Sequence, residues 1–324
     1  MKRFVVCSLF LFFAACVDKD GIVLSPIQDF FSARLLRSAS STCLADNVSL
    51  NSLTAPCGAI PANLPELTLG ANYVAASDLA RGVYQGFLYP GQNALPTVHQ
   101  KRADSVALLI IPINGKIKVV AEGMSNSGMI FDGLINVMNA SSFDNSAVQI
   151  TNFSKGGCDL PCWISNGVGT VDSSVQVVLA YHSNNRPQST SCVSAKRFPT
   201  HALNTKTQLE SRFQQLRQKY PKARQFYFFS REFGGWSNPP SGSRNSEPVA
   251  YEEGYSVKWF IESHLNEVPV VLWGAYTWDR MTPRSYFTTD GTHPCIVGQN
   301  AFGQKLFDYF LNNSSSRPWF AANP

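Results

Sequence analysis

Charge is scarce in this chain. Only 15% of its 324 residues are Asp, Glu, Lys or Arg, and the net charge is +5. So mild an excess, with no basic stripe, argues against nucleic-acid binding, and the low charge argues against a phosphate-rich substrate. Histidine is scarcer still, at five residues, and His99, His182, His201 and His264 lack metal-ligand spacing. No metal or other cofactor is therefore expected, and a metal-dependent phosphodiesterase or sulfatase is disfavoured. Beyond the N-terminus no apolar run is long enough to span a bilayer. Internal repeats are missing, and so is the elbow pattern Gly-x-Ser-x-Gly, because position 127 is Ser. Apolar residues are not lacking: 44% of the chain is hydrophobic, enough for a sizeable core and too much for disorder.

What is present is a series of short apolar strands at 117–121, 147–153, 175–181, 225–229 and 268–273. Each is β-branched or aromatic and is followed by Gly, Ser or Asn, as suits strands buried on both faces of a parallel sheet. Helical stretches lie between them. At 205–220, Leu209, Phe213 and Leu216 form an apolar stripe among Gln, Arg and Lys. The stretch 248–265 opens on Pro248 with Glu252 and Glu253 in its early turns, and 299–311 closes the chain. Strands alternating with helices predict a three-layer α/β/α sandwich, its five parallel strands in the order 2-1-3-4-5.

Such sheets carry their sites at the carboxyl ends of the strands. There the sequence places Ser125 after the first strand, Gly157 after the second, Asn184 after the third, and Asp290 and His293 after the fifth. A serine hydroxyl is a weak nucleophile that needs a base, which His293 can supply, with Asp290 to orient the imidazole and stabilise its cation. The backbone N–H groups of Ser125 and Gly157 and the side chain of Asn184 are the candidate oxyanion donors. Each part alone has a plainer explanation: a Ser after a strand is usually a helix N-cap, and Gly-Gly, Asn-Asn and Asp-Gly are usually turns. Their occurrence together, in order and each after the right strand, favours the chemical reading.

These blocks resemble the SGNH (GDSL-like) hydrolase superfamily over roughly residues 105 to 318. The nucleophile block is Gly123-Met124-Ser125-Asn126, with Met124 where the family carries an acid. The glycine block is 152–157, with Gly157 the better match and Gly156 the second. The asparagine block is His182-Ser183-Asn184-Asn185, without the usual glycine, and Asp290 to Pro294 matches Asp-x-x-His-Pro in full. The stretch from Ser230 to Trp236 looks like a bacterial exported subgroup. The resemblance implies a flavodoxin-like fold and a serine esterase.

The N-terminus reads as an address. Met1-Lys2-Arg3 and a short apolar run predict a signal peptide over 1–15, ending in Phe13-Ala14-Ala15-Cys16, which resembles a bacterial lipobox with Cys16 lipidated. An outer-membrane lipoprotein is expected, with periplasmic location or free secretion the alternative. The membrane is a partner only through that anchor. Residues 16–104 are read as an extension packing on the hydrolase-like domain at 105–324, being too short and irregular to bury a core alone. Six cysteines remain after Cys7 and Cys16, allowing fifteen pairings. Sequence proximity favours Cys43 with Cys57 and Cys158 with Cys162, leaving Cys192 and Cys295.

The expected substrate is an acyl ester, acetyl first, on a small molecule or carbohydrate. Met124, Asn126, His182, Trp163 and Trp236 are the candidate substrate-lining residues; loop tryptophans stack on sugars, although aromatics are more often core. The competing reading is a non-catalytic, surface-anchored carbohydrate-binding protein that kept the fold.

Overall fold

Parallel pairing of five short strands organises the protein. The structure, a computed structural model, describes residues 42–46, 86–143, 145–187, 198–237 and 245–321, all within a unit that begins at Thr42. Strands β1 (Ile117–Gly123), β2 (Val148–Asn152), β3 (Val175–Tyr181), β4 (Gln225–Phe228) and β5 (Val270–Trp273) form one sheet in the order β2-β1-β3-β4-β5. Every pairing is parallel. Strands β3, β4 and β5 are buried at every residue, as continuous apolar runs require, whereas β2, at the sheet edge, exposes Gln149 and Thr151.

Helices cover the sheet in two layers. On one side α2 (Ser125–Ala140) packs against α6 (Ile296–Asn312); on the other α3 (Leu160–Ser165), α4 (Thr200–Lys219) and α5 (Val249–Ser263) pack in series. The predicted stripe of Leu209, Phe213 and Leu216 is fully buried on α4. The α2–α6 crossing is unusually close. A Cβ on Gly133 would lie 1.9 Å from the Gln299 carbonyl oxygen, and one on Gly303 2.2 Å from the Gly133 carbonyl carbon. Helix α2 begins at Ser125 and α6 begins three residues after His293, so this contact constrains the separation of Ser125 and His293.

Helix α1 (Thr97–Ala107) spans the expected boundary at 104/105. It buries His99, Ala103 and Ala107 and touches β4, β5 and the short C-terminal helix α7 (Arg317–Phe320). The residues just before 105 are thus part of the packed core. Residues 1–41, with the expected signal peptide and Cys16, lie outside the described residues, as do residues 47–85.

The cysteines depart from expectation in one pair. Cys158–Cys162 is bonded, but Cys43 bonds Cys295, not Cys57. The reason is local: the backbone N–H of Leu44 donates to the Phe287 carbonyl (2.9 Å), and Asp46 accepts from the backbone N–H (2.8 Å) and hydroxyl (2.5 Å) of Ser285. Residues 42–46 are thereby pinned beside Cys295, which sequence proximity does not reveal. Cys57 and Cys192 lie outside the described residues. Cys43→Ser should lower stability by about 2–4 kcal/mol. Denaturation with the other disulfides intact checks this, and non-reduced peptide mapping should recover the 43–295 linkage.

Candidate active site

At the carboxyl end of β1 the backbone is held without slack. A Cβ on Gly123 would sit 2.1 Å from Ser127 Oγ and 2.3 Å from the Tyr181 carbonyl oxygen, so no side chain fits. The Gly123 carbonyl accepts from the Lys155 backbone N–H (2.9 Å) and from the Trp163 indole (3.1 Å). The chain then turns through Met124 into α2, whose first residue is Ser125. Met124 supplies no capping side-chain hydrogen bond. The first-turn N–H groups beside Ser125 therefore form the kind of donor cluster that binds developing negative charge.

Asp290 and His293 lie in one closed loop after β5. Phe287 pairs antiparallel with Pro294, and the Thr288 backbone N–H donates to the His293 carbonyl (2.9 Å). Inside this turn Asp290 Oδ1 accepts from the Thr288 hydroxyl (2.8 Å) and the backbone N–H groups of Thr292 (2.8 Å) and His293 (2.9 Å). Asp290 Oδ2 faces His293 Nδ1 at 2.5 Å, and His293 Nε2 lies 2.8 Å from Ser125 Oγ. A carboxylate on Nδ1 places the imidazole proton there, leaving Nε2 to accept the serine proton. Partial burial works to raise the Asp290 pKa, but the hydrogen bonds from His293, Thr292 and Thr288 outweigh it and hold the group down to about 2. The acid is therefore ionised throughout the neutral range. The His293 and Asp290 side chains remain 34% and 47% exposed, so the site is open to a ligand.

Gly291 makes the turn possible. Its φ is +64°, and a Cβ there would fall 1.6 Å from the Trp236 carbonyl oxygen. Gly291→Ala combines left-handed strain with a backbone clash, so it should displace His293 and lower turnover by on the order of 10²-fold. Steady-state kinetics on a short acyl ester, alongside melting, would check it.

A cavity of about 20 Å³ is bordered by Met124 and Asn126, which flank Ser125 in the chain, and by Tyr181, Ser183, Arg231 and Glu232. Asn126 is half-buried and donates from its amide to Glu232 Oε1 (2.5 Å) and the Thr292 carbonyl (2.8 Å). Glu232 Oε2 accepts from the Tyr181 hydroxyl (2.7 Å). Burial pulls the Arg231 pKa down, but the carboxylates of Glu253 and Glu232 outweigh it and raise it overall. Glu232 and Arg231 were not among the sequence candidates; the available signal was a charged pair directly after the apolar run of β4.

The remaining expected residues fall differently. A Cβ built on Gly156 would lie 3.9 Å from Ser125 Cβ, and Gly157 supplies the left-handed turn at φ +72°. Asn184 donates its amide to Gln208 Oε1 (2.9 Å), accepts from the Arg186 N–H (3.1 Å), and borders a separate cleft of about 330 Å³ with His201 and Gln208. Tyr181 and Ser183 border the small cavity, whereas Asn184, past the end of β3, meets Gln208 on α4. His182 is buried edge-on to Trp163 and 4.0 Å from Glu122. Burial first, and the Arg212 charge second, depress its pKa to about 3, so it stays neutral. Trp163 and Trp236 are also buried, their indoles donating to the carbonyls of Gly123 and Thr282 (2.8 Å for the latter).

No protein-family profile and no curated protein sequence matches the chain. Among solved structures it is distantly similar to a Clostridium thermocellum family 3 carbohydrate esterase, with TM-score 0.44 and 13% identity, covering 61% of this chain and 97% of that one. A putative acylhydrolase from Bacteroides fragilis gives TM-score 0.43 and 13% identity, over 67% and 96%. An acetyl xylan esterase from Geobacillus stearothermophilus gives 0.39 and 12%, over 62% and 95%. Among the described residues no group of three His, Cys, Asp or Glu is arranged to hold a metal ion, and no helix is long and apolar enough to cross a membrane.

Proposed function

We propose that this protein is a serine esterase that hydrolyses a short acyl ester, acetyl in first place, on a small molecule or carbohydrate. The observation that carries the reading is the unbroken chain from Ser125 Oγ through the His293 ring to Asp290. In that reaction Ser125 Oγ bonds to the ester carbonyl carbon while its proton passes to His293 Nε2. The resulting oxyanion takes hydrogen bonds from the first-turn N–H groups at Ser125 and from the Gly156–Gly157 loop. Collapse breaks the bond to the alkoxy group, which leaves as alcohol with the His293 proton. Water then attacks the acyl-serine by the same route, releasing the acid and restoring the hydroxyl.

An extracytoplasmic substrate is part of this reading. The two disulfides among the described residues suit an oxidising compartment, and the reading takes 1–15 as a signal peptide, Cys16 as lipidated and 105–324 as a hydrolase-like domain. The test is covalent labelling by a fluorophosphonate probe, with the adduct mapped to Ser125, together with hydrolysis of p-nitrophenyl acetate. A chain that neither labels nor hydrolyses any short acyl ester would leave the carbohydrate-binding reading in its place.

A further inference from the structure

Glu232 is a carboxylate only 2% exposed that lies beside the nucleophile yet takes no part in the proton transfers described above. Burying a charge is costly unless its oxygens are satisfied by well-placed donors. Here both oxygens are: Oε1 by the Asn126 amide at 2.5 Å and Oε2 by the Tyr181 hydroxyl at 2.7 Å. The second N–H of the same Asn126 amide donates to the Thr292 carbonyl at 2.8 Å. Thr292 directly precedes His293, and Asn126 directly follows Ser125. One side chain thus links the residue after the nucleophile to the residue before the base, and its orientation is fixed by a third element, the chain after β4. The Asn126 oxygen is also turned toward the nucleophile, 3.4 Å from Ser125 Oγ.

An amide is suited to this place because it has two donors, one for each acceptor. The isosteric carboxylate has none and would set a second negative charge against Glu232. We propose that Asn126 and Glu232 are positioning residues: Glu232 orients the Asn126 amide, and that amide pins the Thr292 carbonyl so that His293 Nε2 stays within hydrogen-bond reach of Ser125 Oγ. This rests on the reading of Ser125 and His293 as nucleophile and base. A displacement of about 1 Å at a reacting pair costs on the order of 10²-fold in rate, so the effect falls on turnover and not on substrate affinity.

The experiment compares Asn126→Asp, Asn126→Ala, Glu232→Ala and Glu232→Gln in the full exported chain with its disulfides formed. Readouts are kcat and KM for p-nitrophenyl acetate, the rate of fluorophosphonate labelling, and thermal melting. Asn126→Asp and Glu232→Ala are expected to lose about 10²-fold in kcat and in labelling rate, with KM within about 3-fold. Glu232→Gln keeps a carbonyl oxygen to accept from Asn126, so it should recover to within about 10-fold of the native rate. Native turnover in Asn126→Asp would overturn the proposal, as would an effect confined to KM or equal losses in Glu232→Gln and Glu232→Ala. Should Asn126→Asp fail to fold, Asn126→Ala decides, because it removes both donors without adding charge: a native labelling rate there also overturns the proposal. A native chain that does not label at Ser125 points instead to failure of the esterase reading, which separates the two outcomes.

Discussion

Ser125→Ala should lower hydrolysis of a short acyl ester by at least about 10³-fold while leaving the fold intact. The size follows from the mechanism. On the proposed mechanism, replacing Ser125 abolishes the acyl-enzyme route and leaves only what oxyanion donors and binding supply to water attack, and such residues act as a unit. The fold survives because Ser125 is only half-buried at the start of α2. The hydroxyl makes two side-chain contacts, one with His293 Nε2 at 2.8 Å and one with Asn126 Oδ1 at 3.4 Å. The check is kcat for p-nitrophenyl acetate with near-ultraviolet circular dichroism on the same preparation. Wild-type turnover in this variant would remove the serine mechanism and return the protein to the binding reading.

Arg212→Met should be the most damaging substitution away from the nucleophile, costing roughly 3 kcal/mol, the lower end of what breaking a buried ion pair costs. Glu122 lies on β1, three residues before Ser125, and is fully buried. Its oxygens receive the Arg212 guanidinium, the Lys219 ammonium at 2.9 Å and the Tyr220 hydroxyl at 3.0 Å. Burial works to raise its pKa, but the Arg212 and Lys219 charges outweigh it, and the pKa lies below the ordinary 4.5. Without Arg212 the carboxylate keeps two donors, which is why the estimate is not higher. Arg212 also lies 4.9 Å over the Trp163 ring, which in turn holds the Gly123 carbonyl, so the loss reaches the nucleophile turn. Because the folded pKa is depressed, the pair contributes stability that is complete above pH 4.5 and is lost as pH falls through the folded value. The variant should accordingly show a shallower acid limb in denaturation midpoints measured against pH. A midpoint change worth less than about 1 kcal/mol at neutral pH would show that Lys219 and Tyr220 satisfy Glu122 unaided.

The sequence by itself determined the strands, their parallel order and the edge on which Ser125, Asp290 and His293 lie. All of that is written in local periodicity: continuous apolar runs, an apolar helical stripe, and a turn signal after each strand. The Asp-x-x-His spacing was legible for the same reason, since both residues sit in one six-residue loop closed by its own backbone bonds. Tertiary structure alone decided the rest. That Asn184 meets Gln208 of α4 is set by the path of the chain after β3, and no local pattern states that. The burial of Trp163 and His182 against each other, and of Trp236 against Phe233 and the Thr282 carbonyl, depends on partners distant in the chain. The Cys43–Cys295 bond and the path from Asn126 through Glu232 to Tyr181 join positions from 51 to 252 residues apart. Contacts at such separations are set by how the layers pack, and a residue that owes its role to a partner so distant in the chain leaves no periodic mark of it.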